Sequence, residues 1–176
     1  MRLTLVPHPT TPSAAVDAIT VEVARAAGGL TLTYVVTSAV ADLAIPAHAP
    51  PDRTDNLWKH TCCEAFILPG GGDAYVEFNL SPSTRWAAYS FTSYRQGMAD
   101  LDLITPPAID FNTAQTAFGL RAAVASPPTL AAAPWRLGLS CVIEETGGAL
   151  SYWALAHPSP APDFHNAAGF TCALEP

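Results

Sequence analysis

The stretch CCEAFILPGGGDAYVEFNL, residues 62–80, decides the fold because two short strand-like runs flank a glycine-rich turn. Its second run, YVEFNL, alternates with the two-residue period of a β-strand, in which successive side chains point to opposite faces. Residues 70–73, GGGD, predict a hairpin turn between the two runs. We therefore predict two antiparallel strands, with Val76, Phe78 and Leu80 facing the core.

Similar short runs recur along the chain, and no long stretch keeps the 3.6-residue period of an amphipathic helix. The predicted strands are residues 2–6, 18–24, 30–37, 62–68, 75–80, 87–91, 117–125, 135–144 and 151–156, with another near 170–174. Strands at this spacing predict an all-β fold, a two-sheet antiparallel β-sandwich of the immunoglobulin-like or jelly-roll type. The 176 residues suffice for one sizeable core, so we predict one domain over residues 1–176.

Residues 14–27 have two interpretations, a helix that ends at Gly28 or a strand with alternating Ile19, Val21 and Val23. The β-branched residues favour the strand, and Gly28 with the next glycine then predicts a hairpin turn. Three long loops are predicted at residues 42–60, 94–112 and 157–169. Loops of this length are uncommon unless they have a function.

The composition restricts the classes of partner. Asp and Glu number 15 against 8 Lys and Arg, which gives a net charge of −7 and argues against a nucleic-acid partner. No apolar run reaches the length of about 18 residues that a membrane span needs, and Pro7 interrupts the N-terminus before a signal-peptide core can form. We expect a soluble, cytoplasmic protein without a membrane partner.

The cysteines and histidines lack the spacings of metal sites. The four cysteines have no C-x-x-C pair, so we expect buried free thiols. The five histidines have no H-x-H or H-E-x-x-H spacing, so we expect no metal.

A polar stripe is predicted on the second face of the YVEFNL strand, where Tyr75, Glu77 and Asn79 lie together. An aromatic ring beside a carboxylate and an amide suits a sugar, since a pyranose stacks on the ring and its hydroxyls bind the polar groups. A solvated outer surface would give the same pattern.

Glu64 alternates with Phe66 and Leu68, so its carboxylate should lie in or near an apolar layer. Burying an unpaired carboxylate is costly, so Glu64 either pairs with a cation such as Arg95 or faces a polar ligand pocket. Both interpretations stay open. Glu64 and Glu77 could also form the acid/base pair of a glycoside hydrolase, but we favour binding without catalysis.

Five blocks in order, LWKHTCCEAFILP, AYVEFNLSPSTRWAAYSF, SYRQGM, PWRLGLSCVIEE and YWALAHPSPAPDFHNAAGF, resemble the bacterial DOMON-like domain, which is related to family 9 carbohydrate-binding modules. The resemblance covers roughly residues 53–171. It implies a β-sandwich in which one sheet offers a concave pocket for sugar or haem.

The resemblance also implies site residues. Glu64, Tyr75, Glu77, Phe78 and Asn79 match positions in two consecutive strands of the family, Trp86 matches the aromatic residue after the next turn, and Trp153 and the PDFHNAAGF segment match its closing part. Trp58 or Trp86 would supply the second ring that stacks on a sugar.

Our leading hypothesis is a non-catalytic small-molecule binding module without a cofactor, with a carbohydrate or polyol as its ligand. The candidate ligand contacts are Trp58, Glu64, Tyr75, Glu77, Asn79, Trp86, Arg95, Trp153 and His165. One alternative, implied by haem-binding relatives, is an electron-transfer domain with Met98 and either His157 or His165 as axial ligands. The other is a cytoplasmic protein-interaction domain that uses the polar stripe.

Overall fold

The computed structural model describes residues 1–26, 29–125 and 133–176. The strands within these ranges are β1 (Arg2–Pro7), β2 (Val16–Ala26), β3 (Gly29–Ser38), β4 (Cys62–Pro69), β5 (Tyr75–Leu80), β6 (Trp86–Phe91), β7 (Ala99–Asp100), β8 (Ala108–Thr113), β9 (Ala117–Ala125), β10 (Trp135–Glu144), β11 (Leu150–Ala154) and β12 (Cys172–Leu174). Short 3₁₀ turns span Val40–Asp42, Leu57–Lys59 and Ala167–Gly169.

The strands form one continuous curled sheet in the order β7-β6-β5-β4-β10-β11-β1-β2-β3-β9-β8, and β12 pairs with β10 beside this path. Strand β1 joins two halves of the sheet. Its residues from Arg2 to Leu5 pair with β2, while Val6 and Pro7 pair with β11. We call β1, β2, β3, β9 and β8 the open half, and β11, β10, β4, β5, β6 and β7 the covered half.

The predicted all-β antiparallel class is confirmed, with the strands curled into a half-barrel. The finer description as a two-sheet sandwich stays a prediction. The ambiguous segment is the strand β2, and the turn predicted at Gly28 lies outside the described residues. The prediction of a long loop over residues 94–112 was wrong, because β7 and all of β8 except Thr113 lie within it. Strand β8 is mostly exposed and lies at an edge, so the core imposes little alternation on its sequence.

Side chains from both halves form one apolar core. Val76, Phe78 and Leu80 lie in it, as the alternation predicted. The hydroxyl of Tyr34 on β3 is buried there and donates a hydrogen bond of 2.7 Å to the backbone oxygen of Glu64 on β4, which ties the open half to the covered half.

The four cysteines are buried free thiols, as expected. Cys63 and Cys141 meet in the core with their Sγ atoms 3.5 Å apart. Cys62 points to the opposite face of β4 and contacts the side chain of Asn79.

The covered half has a second apolar cluster on its outer face, made of Phe66, Leu68, Tyr75, Ala87, Tyr89, Phe91 and Phe170. Leu57 and Phe164, from the segments before β4 and after β11, pack on this cluster. Strands β4 and β5 are therefore buried on both faces. Among the described residues, no helix has the length and apolarity needed to cross a membrane.

Candidate functional site

The outer faces of β4, β5 and β6 form the floor of the candidate site. The antiparallel register sets Glu64 opposite Asn79, and Phe66 opposite Glu77, which in turn lies opposite Tyr89. Because side chains of directly opposed residues point to the same face of a sheet, these polar and aromatic groups form one surface. The predicted polar stripe on β5 exists, but loops cover it and its residues are buried.

A cavity of about 810 Å³ lies over this floor. Its volume falls in the range of about 300–1,000 Å³ that is typical of small-molecule sites. The residues that line it are Thr11, Asp55, Asn56, Trp58, Glu64, Glu77, Tyr89, Phe91, Arg95, Met98, Asp100, Tyr152, Pro162, Phe164 and His165. Aromatic rings and carboxylates thus dominate the functional groups around the cavity.

Glu64 is the most deeply buried carboxylate of the floor, with only 3% of its surface exposed. Ser140 on β10 donates a hydrogen bond of 3.3 Å to its Oε2, while its Oε1 receives none from the residues that the structure describes. Burial raises the pKa of Glu64 well above its usual value, and the nearby negative charge of Glu77 raises it further. One carboxylate oxygen is therefore available to a ligand.

Glu77 lies two residues along the neighbouring strand from the position opposite Glu64. The side-chain amide of Asn79 donates a hydrogen bond of 2.6 Å to its Oε1, and the Nε2 of His165 is 3.8 Å from its Oε2. Burial raises the pKa of Glu77, while the Asn79 hydrogen bond and the charge of Arg95 oppose this shift. Asn79 therefore acts behind the cavity wall by fixing the Glu77 carboxylate.

His165 is held as a neutral ring. The hydroxyl of Tyr75 accepts a hydrogen bond of 3.2 Å from the backbone N–H of Arg95 and shares a hydrogen bond of 2.7 Å with the Nδ1 of His165. Burial and the charge of Arg95 lower the pKa of His165 to about 4. At neutral pH, His165 therefore gives Glu77 no positive charge.

Arg95 is positioned by the turn that follows β6. Its backbone has a φ of 53°, and Gly97 in the same turn has a φ of 62°, a conformation that favours glycine. The guanidinium forms an ion pair of 2.9 Å with Asp163, which also accepts a hydrogen bond of 2.8 Å from Tyr94. The expected alternative of an Arg95 to Glu64 ion pair is thus replaced by pairing with Asp163.

The rim of the cavity combines exposed and anchored groups. Trp58 is half exposed in the 3₁₀ turn before β4, and Met98 is also exposed. Asp55 accepts a hydrogen bond of 2.6 Å from the hydroxyl of Tyr89, and Asp100 forms an ion pair with Arg53.

Five of the nine predicted ligand contacts line the cavity: Trp58, Glu64, Glu77, Arg95 and His165. Tyr75 and Asn79 lie behind them and hold His165 and Glu77 through the hydrogen bonds described above. Whether any of the nine contacts a ligand stays a prediction.

Trp86 and Trp153 occupy positions that do not support a role as ligand contacts. Both belong to the core on the opposite face of the covered half. Trp86 is paired with Leu80, a core residue, and the indole N–H of Trp153 donates to the hydroxyl of Ser151. The physical reason for their position is the strand register, which decides the face of the sheet to which each side chain points.

Several residues that line the cavity were not predicted from the sequence. Tyr89 and Phe91 share the face of Glu77 and Tyr75, which the alternation of the predicted strand 87–91 could have shown. Asp55, Asp100 and Phe164 come from loops or a two-residue strand, and no periodic signal marks such positions.

The proposed haem ligands do not form a matching pair. Met98 and His165 both line the cavity, but the Nδ1 of His165 is hydrogen-bonded to Tyr75 and its ring is packed against Phe66 and Phe91. The Nε2 of His157 lies 2.9 Å from the backbone oxygen of Val6. Among the described residues, no three His, Cys, Asp or Glu side chains are placed to hold a metal ion.

No protein-family model and no curated protein matches the sequence. Solved structures of similar fold include a protein from Bacteroides uniformis and a module from Caldicellulosiruptor kristjanssonii. A candidate carbohydrate-binding protein from Bacteroides uniformis superposes with a TM-score of 0.69 and 14% identity, over 97% of this chain and 84% of that chain. A family 9 carbohydrate-binding module from Caldicellulosiruptor kristjanssonii, solved in complex with cellotriose, superposes with a TM-score of 0.50 and 7% identity, over 83% of this chain and 68% of that chain. The chain therefore has a fold like that of the family 9 carbohydrate-binding modules.

Proposed function

We propose that this chain is a non-catalytic carbohydrate-binding module that takes a sugar or polyol into the cavity over β4, β5 and β6. The observation that carries the proposal is the combination of aromatic walls with two buried carboxylates on the floor of an 810 Å³ cavity. A sugar needs both, since its C–H faces pack on rings and its hydroxyls need hydrogen-bond acceptors.

The polar groups of the floor are prepared for hydroxyls. Glu64 has a carboxylate oxygen without a hydrogen bond from the described residues, and Glu77 is fixed by Asn79. A ligand hydroxyl that donates to Glu64 would supply a hydrogen bond that a buried acceptor otherwise lacks. The rings of Tyr89, Phe91 and Phe164 line the same cavity and would contact the apolar face of the ring.

The similarity in fold supports this proposal, since one of the similar structures was solved with cellotriose bound. The relationship to bacterial DOMON-like domains and the two-sheet sandwich description belong to the same proposal. The presence of core side chains from both halves of the sheet supports the sandwich description. The predicted cytoplasmic location stays a prediction.

We propose binding without catalysis because the fold is like that of the family 9 carbohydrate-binding modules, one of which was solved in complex with cellotriose. Glycoside hydrolysis by a carboxylate pair would need one acid kept protonated and one carboxylate kept ionised, so Glu64 and Glu77 are the residues to test for activity. Incubation with chromogenic glycosides should release no aglycone, and a release that Glu64→Gln abolishes would contradict the proposal.

The decisive test is isothermal titration with glucose, galactose, xylose and cellobiose. We expect at least one of them to bind with a Kd in the micromolar to millimolar range, equivalent to about 4–8 kcal/mol. Trp58→Ala should weaken this binding because it removes an aromatic ring from the rim of the cavity. Since this ring is half exposed, its loss should change the stability of the fold little. Val35→Ala is the matched control, since Val35 is an exposed apolar residue on β3 in the open half.

Absence of heat from every sugar would overturn the carbohydrate proposal. The haem alternative is tested with the same sample, because haem held by Met98 and a histidine would give a Soret band that Met98→Leu alters. We expect no such band. The protein-interaction alternative would be favoured if a partner were captured by the wild type and lost with Glu77→Ala.

A further inference from the structure

We propose, on the basis of the proposed function, that the preferred ligand is a carbohydrate bearing a protonated amine, whose ammonium group binds between Glu64 and Glu77. The inference concerns the charge of the ligand, which the binding of a neutral sugar leaves open. It comes from the distribution of charges and hydrogen bonds in the cavity.

The cavity is lined by an excess of acidic groups. Asp55, Glu64, Glu77 and Asp100 line it, against one guanidinium, that of Arg95. His165 also lines it but is neutral at neutral pH, since its pKa lies at about 4. A neutral sugar would leave this excess uncompensated.

The cations near the cavity are engaged elsewhere. The guanidinium of Arg95 is paired with Asp163 at 2.9 Å. That of Arg53 is paired with Asp100 and lies 3.9 Å from Asp55, so the rim carboxylates are compensated. Within the described ranges, neither Glu64 nor Glu77 has a Lys or Arg at ion-pair distance.

The two uncompensated carboxylates are deep and adjacent. They are 3% and 5% exposed, respectively, so water does little to stabilise their charges and burial raises the pKa of both. A bound cation would stabilise the ionised forms and offset this shift. Their diagonal arrangement on neighbouring strands, typically about 7–8 Å apart at the backbone, lets one small cation reach both carboxylates. Glu64 Oε1 has no hydrogen-bond partner among the described residues, and the contact of Glu77 Oε2 with His165 is long at 3.8 Å.

An ammonium group matches this arrangement better than a hydroxyl group does. It donates three hydrogen bonds where a hydroxyl donates one, and it carries the charge that the carboxylates lack. Tyr89, Phe91 and Trp58 also line the cavity, and aromatic faces attract an ammonium through cation–π interactions. Aromatic walls with a carboxylate floor are therefore suited to a cationic sugar.

The test uses three disaccharides that differ only in the group at carbon 2: cellobiose with a hydroxyl, diacetylchitobiose with an acetamide, and its fully deacetylated form with an amine. At about pH 7 such an amine is largely protonated, if its pKa resembles the value of about 7.7–8.0 of an α-amino group. We expect titration calorimetry to show binding of the amine form about tenfold or more tighter than that of cellobiose. Raising the salt concentration should reduce this preference.

Substitutions of the two glutamates test whether the ammonium group of the ligand binds between them. Glu64→Gln and Glu77→Gln keep the shape and one acceptor oxygen but remove a charge, so each should reduce the preference for the amine several-fold while cellobiose binding changes less. Glu22→Gln, on an exposed position of β2, should leave all three affinities unchanged. Thermal melts of each variant show whether the fold is kept, and Trp58→Ala tests the cation–π contribution from the rim without touching the floor.

Different outcomes separate the hypotheses. Equal affinity for cellobiose and the amine form would overturn the inference and leave the carbohydrate-binding proposal standing. A preference for the amine that survives both glutamine variants would also overturn it, because the cation would then bind elsewhere. Failure of the amine form to bind, together with heat from any of glucose, galactose, xylose or cellobiose, would overturn the inference alone, whereas absence of heat from all of these sugars would overturn the proposed function as well.

Discussion

The open and covered halves of the sheet share one core but differ on their outer faces. Strand β2 in the open half alternates between buried and exposed positions, as expected for a sheet with one face in water. Strands β4 and β5 in the covered half are buried on both faces. The outer face of the open half carries groups such as Glu22 and Arg121, whereas the covered half places Glu64 and Glu77 beneath loops.

The two outer faces differ because a cavity lies over the face of the covered half. Burying carboxylates costs free energy that a solvated face would not require. The open half shows that the same chain can make a stable outer face from exposed polar residues. The buried acids therefore distinguish the candidate site of the covered half from the open half, and substitutions at matched positions in the two halves should differ in their effects.

The largest difference is expected for glycine to alanine changes on the two outer faces. A Cβ at Gly138 on β10 would lie 2.3 Å from the ring of Phe170, which packs on the outer cluster and stacks on Phe66. Gly138→Ala should lower the free energy of unfolding by about 1–3 kcal/mol through overpacking. In the open half, the three atoms nearest to a Cβ at Gly119 belong to the side chain of Asn112, which is exposed. Gly119→Ala should therefore change the free energy of unfolding by about 0.5 kcal/mol or less.

Urea denaturation of the two glycine variants measures the difference. Equal losses of stability would contradict the view that Phe170 is tightly packed over the covered half.

The next effect is a dependence of stability on pH that originates in the covered half. The pKa of Glu64 is raised in the folded protein, chiefly by burial and then by Glu77, while Ser140 and Arg95 oppose the shift. The folded state therefore binds more protons than the unfolded state above the ordinary pKa of about 4.3. This contribution is fully present below that pH and is lost as the pH rises through the raised pKa.

Glu64→Gln cannot ionise, so its free energy of unfolding should fall less than that of the wild type between about pH 4 and pH 8. Glu22→Gln in the open half should follow the wild type. The measurement is a series of urea titrations across this pH range, and parallel curves for the wild type and Glu64→Gln would contradict the burial of an uncompensated acid.

The third effect has the opposite sign and comes from His165. Burial and Arg95 lower its pKa from 6.5 to about 4, so the neutral ring is favoured in the folded state. Its contribution to stability is present above pH 6.5 and is lost as the pH falls towards 4. His165→Gln should therefore lose less stability than the wild type over this interval.

His48→Gln, at an exposed histidine outside the cavity, is the control and should behave as the wild type. Thermal melts between about pH 4 and pH 7 give the comparison. A steeper acid loss in His165→Gln would contradict the neutral ring described for the site.

The sequence predicted most of the strands because alternation reports burial directly. The YVEFNL run gave the correct faces for Val76, Phe78 and Leu80, and the β-branched residues of β2 correctly favoured a strand over a helix. Strand β8 was missed because it lies at an edge and is mostly exposed, so the core does not impose a pattern on it.

The candidate site was predictable only where it lies on regular strands. Glu64 and Glu77 were predicted because a carboxylate within an apolar run stands out in the sequence. No periodic pattern predicted that loops would cover both side chains. Trp86 and Trp153 were taken as ligand contacts from the family resemblance, but the register of β6 and β11 places both in the core on the opposite face of the covered half. The positions of loop residues such as Asp163, which forms an ion pair with Arg95, depend on contacts between segments that are distant in sequence.

The division of β1 between two partners has a consequence for the order of folding. Val6 and Pro7 pair with β11, which is synthesised about 150 residues later, and β4 pairs on one side with β10, which also follows much later in the chain. Closing such distant contacts costs chain entropy before it yields any stabilisation, which makes folding slow. During synthesis, β2 and β3 can form their hairpin early, whereas the cavity over β4, β5 and β6 is assembled only after β10, β11 and the segment that contains Phe164 and His165 have been synthesised.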